Sequence, residues 1–121
     1  MKVSGENLFR KCLQEMFDTS FDKHRPDWLK NTDGYQLELD GYNQDLKIAF
    51  EYQGKQHFEI SHWDTQESFL RRQANDKIKY LLTKQRGIFV LYPTFELTTK
   101  DQMMEFIKTN LPPEHLFNAS L

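Results

Sequence analysis

The chain holds one cysteine, no long apolar run and little net charge, and each shortage removes a class of protein. With Cys12 alone among 121 residues, no internal disulfide can form, so a reducing, intracellular compartment is expected. No apolar run approaches the roughly 20 residues of a membrane span, and no signal-peptide pattern opens the chain, so a membrane is not an expected partner. A net charge of −2 gives no global attraction to nucleic acid. Charged residues at 28% and apolar ones at 38% describe a soluble globular chain rather than a disordered one. Its length suits one domain of about 100–150 residues. With no internal repeat and no linker, residues 1–121 read as a single unit.

What is present is patterned. Leu8, Phe9, Cys12, Leu13 and Met16 recur at helical spacing after Ser4, a good N-cap, and predict a helix over 6–17. Residues 18–31 read as loop, with Pro26 excluding a long helix. Asn31-Thr32-Asp33-Gly34 is a turn signal. Residues 35–41 and 46–53 alternate as two strands of an antiparallel hairpin, joined through the turn chemistry of Tyr42-Asn43-Gln44-Asp45. Asp64 and Glu67 form a capping-box pattern that starts a long helix to about residue 86, with Leu70, Ala74, Ile78, Leu81 and Leu82 as its core face. Gly87 stands where a helix ends. Ile88-Phe89-Val90-Leu91-Tyr92 is a short buried strand, and Thr99 with Gln102 caps a last helix over about 99–110. The expected class is α/β (α+β): a mixed sheet flanked by helices, in the order α-β-β-α-β-α.

Two carboxylates stand out. Asp40 ends the first hairpin strand. On the second strand side chains alternate, so Glu51 and Gln53 share a face. If Asp40 and Glu51 face the same side they can share one hard cation, and without one each raises the other's pKa. The competing account has Asp40 capping a turn and Glu51 pairing with a lysine. Further along, Arg71, Arg72, Lys77, Lys79, Lys84 and Arg86 stand against the single Asp76. This basic stripe is the footprint of a phosphate contact or, equally, of a solvated helix face.

Glu6 on a first helix, Asp40 on a strand, and Glu51-Tyr52-Gln53 on the next resemble the pattern of the PD-(D/E)xK restriction-endonuclease-like nucleases, with Gln53 where that pattern has lysine. The block from Leu37 to Asn43, continuing from Ala49 to His57, is also similar to phage and giant-virus endonuclease-like proteins, and through them to very-short-patch repair and homing endonucleases. The resemblance covers about residues 4–93. It implies that Asp40 and Glu51, with Glu6, hold Mg²⁺ or Mn²⁺, that Gln53 orients the attacking water, and that His57 moves a proton. Asp76 matches the acidic residue that this branch carries on its next helix. A glutamine supplies no charge, so Lys55, Arg72 or Lys77 would have to bring it. The structural zinc site of the repair enzymes has no ligand set here, with one Cys and four scattered His.

The implied activity is metal-dependent hydrolysis of phosphodiester bonds in DNA, by a nicking, resolvase-like or restriction/homing-like enzyme encoded by a phage or virus. RNA is the other substrate the same chemistry serves. Arg72, Lys77, Lys79, Gln73 and Arg25 are the expected nucleic-acid contacts, with Trp63, Phe58 and His62 able to stack on bases. Cutting both strands needs two sites, which a homodimer supplies. The alternative is a catalytically inactive nucleic-acid-binding module, or a protein-interaction subunit of a larger nuclease or defence complex.

Overall fold

The computed structural model describes residues 4–55, 65–117 and 119. Among the described residues, eight elements follow one another: α1 (Gly5–Phe17), β1 (Asp22–His24), β2 (Leu39–Asn43), β3 (Ile48–Phe50), α2 (Gln66–Gln85), β4 (Phe89–Leu91), α3 (Lys100–Asn110) and α4 (Pro113–Leu116). The strands make one mixed sheet in the order β1-β2-β3-β4. β1 and β2 pair antiparallel, as do β2 and β3, while β3 and β4 are parallel. A parallel pair needs a crossover, and α2 provides it.

α1 starts at Ser4, whose hydroxyl accepts a hydrogen bond from the backbone N–H of Asn7 at 3.2 Å. Phe9, Cys12, Leu13, Met16 and Phe17 are its buried stripe. They pack on Ile48, Phe50 and Leu91 of the sheet and on Met103 and Ile107 of α3. Full burial of one such side chain contributes about 1.5–3 kcal/mol. α3 is fixed by the expected capping box: Thr99 Oγ1 accepts from the Gln102 N–H, and Gln102 Oε1 accepts from the Thr99 N–H, both at 3.1 Å. Pro113 opens α4 at its first position, which needs no amide proton.

Four expectations are corrected. Residues 18–31 are not all loop, because Asp22–His24 form edge strand β1. All three of its side chains are exposed, so backbone pairing with β2 holds it and no apolar alternation marks it. The order is therefore α-β-β-β-α-β-α-α. Tyr42 and Asn43 belong to β2 rather than to the turn. Asn43 still makes the turn, since its Oδ1 accepts from the Leu46 N–H at 2.9 Å. α2 begins one residue later than Asp64 implies, with Thr65 as cap and Ser68 returning the bond.

The fourth correction bears on the site. The apolar residues of α2 do not all face the core: Leu70 is 53% exposed and Leu81 47%, and Ala74 is exposed too. Of the expected core face, Ile78 and Leu82 are partly covered, and Leu82 packs on the small core of Leu29, Leu39, Ala49 and Ile88; polar Arg72, Asn75, Asp76 and Lys79 are partly covered beside them.

Gly41 lies where β2 crosses the Phe50 ring, and a Cβ there would run into that ring and the Phe21 carbonyl. Gly41→Ala is expected to lower unfolding free energy by about 1–3 kcal/mol, as overpacking does. Urea denaturation reads this directly, and an unchanged midpoint would contradict the packing described.

Candidate functional site

The hairpin brings Asp40 and Glu51 together although they are eleven positions apart. Gly41 pairs with Phe50, so the residues just outside that pair face each other. The Asp40 N–H donates to Glu51 Oε2 at 3.4 Å, and the Tyr52 N–H donates to Asp40 Oδ2 at 2.8 Å. Beyond the end of β3 the parallel ladder continues, with the Glu51 N–H donating to the Leu91 carbonyl at 2.9 Å and the Gln53 N–H to the Pro93 carbonyl at 2.7 Å. Both carboxylates are thus set on hydrogen-bonded backbone.

The polar side of α2 closes over this pair. Lys79 Nζ donates to Glu51 Oε1 at 2.8 Å and to the Glu38 carbonyl at 2.9 Å. The two side chains are only 19% and 10% exposed. Burial, opposed by Lys79 and reinforced by the Asp40 charge, pushes Glu51 from 4.5 up to about 8. Tyr92, just past β4, is pushed up to about 12 by burial and then by Glu51, Tyr80 and Asp76. Asp76 acts on Tyr92 but is not among the charges that shift Glu51.

The other expected residues distribute as follows. Glu6 Oε2 is 3.0 Å from Arg10 and 3.5 Å from Lys23. Arg10 also donates to the Asp40 carbonyl at 2.6 Å and to the Phe21 carbonyl at 3.0 Å. Glu6 thus connects to Asp40 through Arg10. Among the described residues, no three His, Cys, Asp or Glu side chains gather as a metal-holding group. Gln53 Nε2 turns back to the Glu51 carbonyl at 3.4 Å. His57, Phe58, His62 and Trp63 lie outside the described residues. Arg72 stacks on Phe69, 5.7 Å from the ring centroid. Lys77 and Gln73 are on the outer, exposed side of α2. Arg25 is paired with Glu38 at 3.1 Å. The basic stripe is therefore split between two faces of one helix.

Arg10 and Tyr92 carry no sequence signal for the roles they hold. The competing expectation that Glu51 pairs with a lysine is met, by Lys79 of the basic stripe, although the sequence does not say which lysine.

The donor set can be tested for a hard cation. Asp40 Oδ1 makes no hydrogen bond to a described residue, and both carboxylates offer only oxygen. Mg²⁺ binds through one or two carboxylates and keeps several waters, so Asp40 and Glu51 fit it as a two-carboxylate site. Burial first, and the Asp40 charge after it, raise the Glu51 pKa, and a cation held between the two carboxylates would oppose both effects.

The class these features define is a mixed α/β fold: a four-stranded mixed sheet with helices against it, and a paired carboxylate site under one helix. Three curated relatives are similar to the chain. It is 32% identical to uncharacterized protein 307L of invertebrate iridescent virus 6, over 95% of this chain and 66% of that protein. It is 28% identical to uncharacterized protein 033L of invertebrate iridescent virus 3, over 80% of this chain and 52% of that protein. Its identity to uncharacterized protein 094L of frog virus 3 is 32%, over 80% of this chain and 64% of that protein. The chain thus spans about half to two thirds of the length of the curated relatives it matches. No family model matches, and no solved structure matches. Among the described residues, no helix is long and apolar enough to cross a membrane.

Proposed function

We propose that the chain is a metal-dependent endonuclease, or the catalytic part of one, hydrolysing phosphodiester bonds in DNA, and that it is virus-encoded. The observation that carries this reading is the pairing of partly buried Asp40 with buried Glu51, and Lys79 against them. A carboxylate held in so covered a place, with a strongly raised pKa and a second carboxylate beside it, is the kind of group that gathers at functional sites. The similarity to iridovirus proteins supports the viral origin.

Asp40 and Glu51 would hold Mg²⁺ or Mn²⁺, which when bound supplies an acidified water and charge screening for the phosphate. Lys79 supplies the positive charge that Gln53 lacks. Its ammonium, 2.8 Å from Glu51, can neutralise charge growing on the phosphate oxygens. Arg10 grips the backbone of Asp40 and fixes the carboxylate's position. Gln53 orients water through its amide, and His57 takes or gives the proton, a role suited to an imidazole near neutral pH.

The metal half of this reading has its own test. Glu51 is protonated near pH 7, so a bound cation must displace its proton. Calorimetry with Mn²⁺ in buffers of different ionisation enthalpy is expected to show about one proton released per ion. Asp40→Asn should weaken binding by at least about tenfold, as expected when a ligand itself is lost. Binding with no proton release, or unchanged in the variant, would put the ion elsewhere. The function itself is tested by metal-dependent nicking of supercoiled DNA, expected in the wild type and absent in Asp40→Asn.

A further inference from the structure

A second concavity, of about 560 Å³, opens on the same side of the sheet as α2, and the site above does not use it. Trp28, Tyr42, Lys47, Arg86, Asp27 and Asp45 stand around it. Trp28 and Tyr42 pack against the small core formed by Leu29, Leu39, Ala49 and Ile88, so the aromatic wall is rigid. The Arg86 guanidinium carbon lies over the Trp28 ring, 4.4 Å from its centroid. Stacking uses the face of a guanidinium and leaves its in-plane N–H donors for an oxyanion. Burial raises the Tyr42 hydroxyl and the Arg86 charge pulls against it, and both side chains line the hollow. Lys47 is held at φ 56 in the β2–β3 turn, a conformation that a lysine adopts at some cost. None of Lys47, Arg86, Asp27 and Asp45 forms an ion pair with a described residue. Two cations and two anions therefore ring an aromatic-walled hollow without neutralising one another.

We propose that this hollow takes one unpaired nucleotide of a nucleic-acid strand. The base lies against Tyr42 beside the Arg86–Trp28 pair, its amino group donates to Asp27 or Asp45, and its phosphate rests on Arg86 and Lys47. The volume is that of a small-ligand pocket, about 300–1,000 Å³. Bases stack on aromatic side chains, and carboxylates accept from exocyclic amino groups. Position supports a strand over a free nucleotide. Arg86 is seven residues from Lys79 on α2, about 10 Å along the helix, and Lys47 is four residues from Glu51, about 13 Å along the strand. A strand contacting both places spans three to four base steps at about 3.4 Å each. The proposal rests on the nucleic-acid part of the reading above, and not on cleavage.

The test uses the full chain with Trp63→Phe, which leaves Trp28 as the one tryptophan, in EDTA. Millimolar dAMP is expected to quench Trp28 fluorescence saturably, and dTMP, which lacks an amino group, to bind several-fold more weakly. Arg86→Gln and Lys47→Asn, both at exposed positions, should each weaken dAMP binding by about tenfold, or 1.4 kcal/mol. A short duplex with one unpaired adenosine should bind about tenfold more tightly than the perfect duplex, and Arg86→Gln should erase that preference. Saturable dAMP binding without preference for the unpaired duplex would make the ligand a free nucleotide and overturn the strand assignment. No saturable quenching, or quenching unaffected by both substitutions, would overturn the site. Nicking that fails while these results hold sinks the endonuclease reading alone. Nicking that succeeds while they fail sinks only this one.

Discussion

Lys79→Met is expected to slow metal-dependent cleavage by about 10²–10³-fold, the usual effect of removing one preorganised charge-stabilising donor. Gln53→Ala, at the motif position, should cost less than about tenfold, because an amide orients water but brings no charge. The difference follows from the 2.8 Å contact between Lys79 and Glu51 and from the turn of Gln53 back to its own strand. Methionine keeps the length and apolar stem of lysine, so packing on the sheet survives. Losing the lysine also raises the Glu51 pKa further, because Lys79 lowers it, so rates should be compared at saturating metal across a pH series reaching well above 8. Adding Gln53→Lys to Lys79→Met should restore part of the rate, since it returns an ammonium to the same pair of carboxylates. Equal losses in Lys79→Met and Gln53→Ala, with no rescue, would remove Lys79 from the mechanism.

The second large effect is on stability. Glu51 has a folded pKa of about 8, raised from 4.5. A group raised on folding contributes stability that is fully present below its unfolded pKa and is lost as pH rises through the folded one. The metal-free protein should therefore lose stability between about pH 4.5 and pH 8. Glu51→Gln carries no proton to lose, and its amide oxygen can still accept from Lys79. At pH 5 the two proteins should melt close together. At pH 8.5 the variant should melt higher by about 4 °C or more, the shift that about 1 kcal/mol gives a domain of this size. Saturating Mg²⁺ at pH 8.5 should raise the wild type and leave Glu51→Gln nearly unmoved. Scanning calorimetry across the pH series, with and without metal, reads all three. A melting difference independent of pH would mean that Glu51 is ionised throughout.

Much of the fold can be read along the chain where burial is one-sided. The stripe Phe9, Cys12, Leu13, Met16 marks α1, the Thr99–Gln102 box marks α3, and the run of Phe89 to Leu91 marks β4. Gly87, at φ 69, ends α2 as its type suggests. β1 escapes because Asp22, Lys23 and His24 bury nothing, and edge pairing through the backbone leaves no pattern. α2 is the instructive failure. Apolar spacing sends Leu70, Ala74 and Leu81 inward together with Ile78 and Leu82, yet the first three are exposed and Lys79 is the α2 side chain that reaches Glu51 and the Glu38 carbonyl. A helix that lays its polar side over buried carboxylates gives up apolar burial, and such conflicts gather at functional sites.

The candidate site divides in the same way. Asp40 and Glu51 are legible as a pair because strand alternation and hairpin register are local. The Lys79–Glu51 contact joins residues 28 positions apart and depends on how α2 crosses the sheet, which no local spacing encodes. Arg10 binding the Asp40 carbonyl spans 30 positions and is equally hidden. Glu6 reads as a third carboxylate by position in the pattern, and the structure ties it to Arg10 and Lys23. These three facts share one cause: charge partners are chosen in space after the backbone is set.

The central claim is that the Asp40–Glu51 pair is a centre of metal-dependent phosphodiester cleavage. The most direct test is conversion of supercoiled plasmid to open-circular form by the purified chain in Mg²⁺, Mn²⁺ or EDTA, with Asp40→Asn as control. The account predicts nicking in either metal, none in EDTA, and none by a folded Asp40→Asn protein. Nicking that persists in Asp40→Asn, or a folded wild type that binds DNA and never cuts it in either metal, would contradict it.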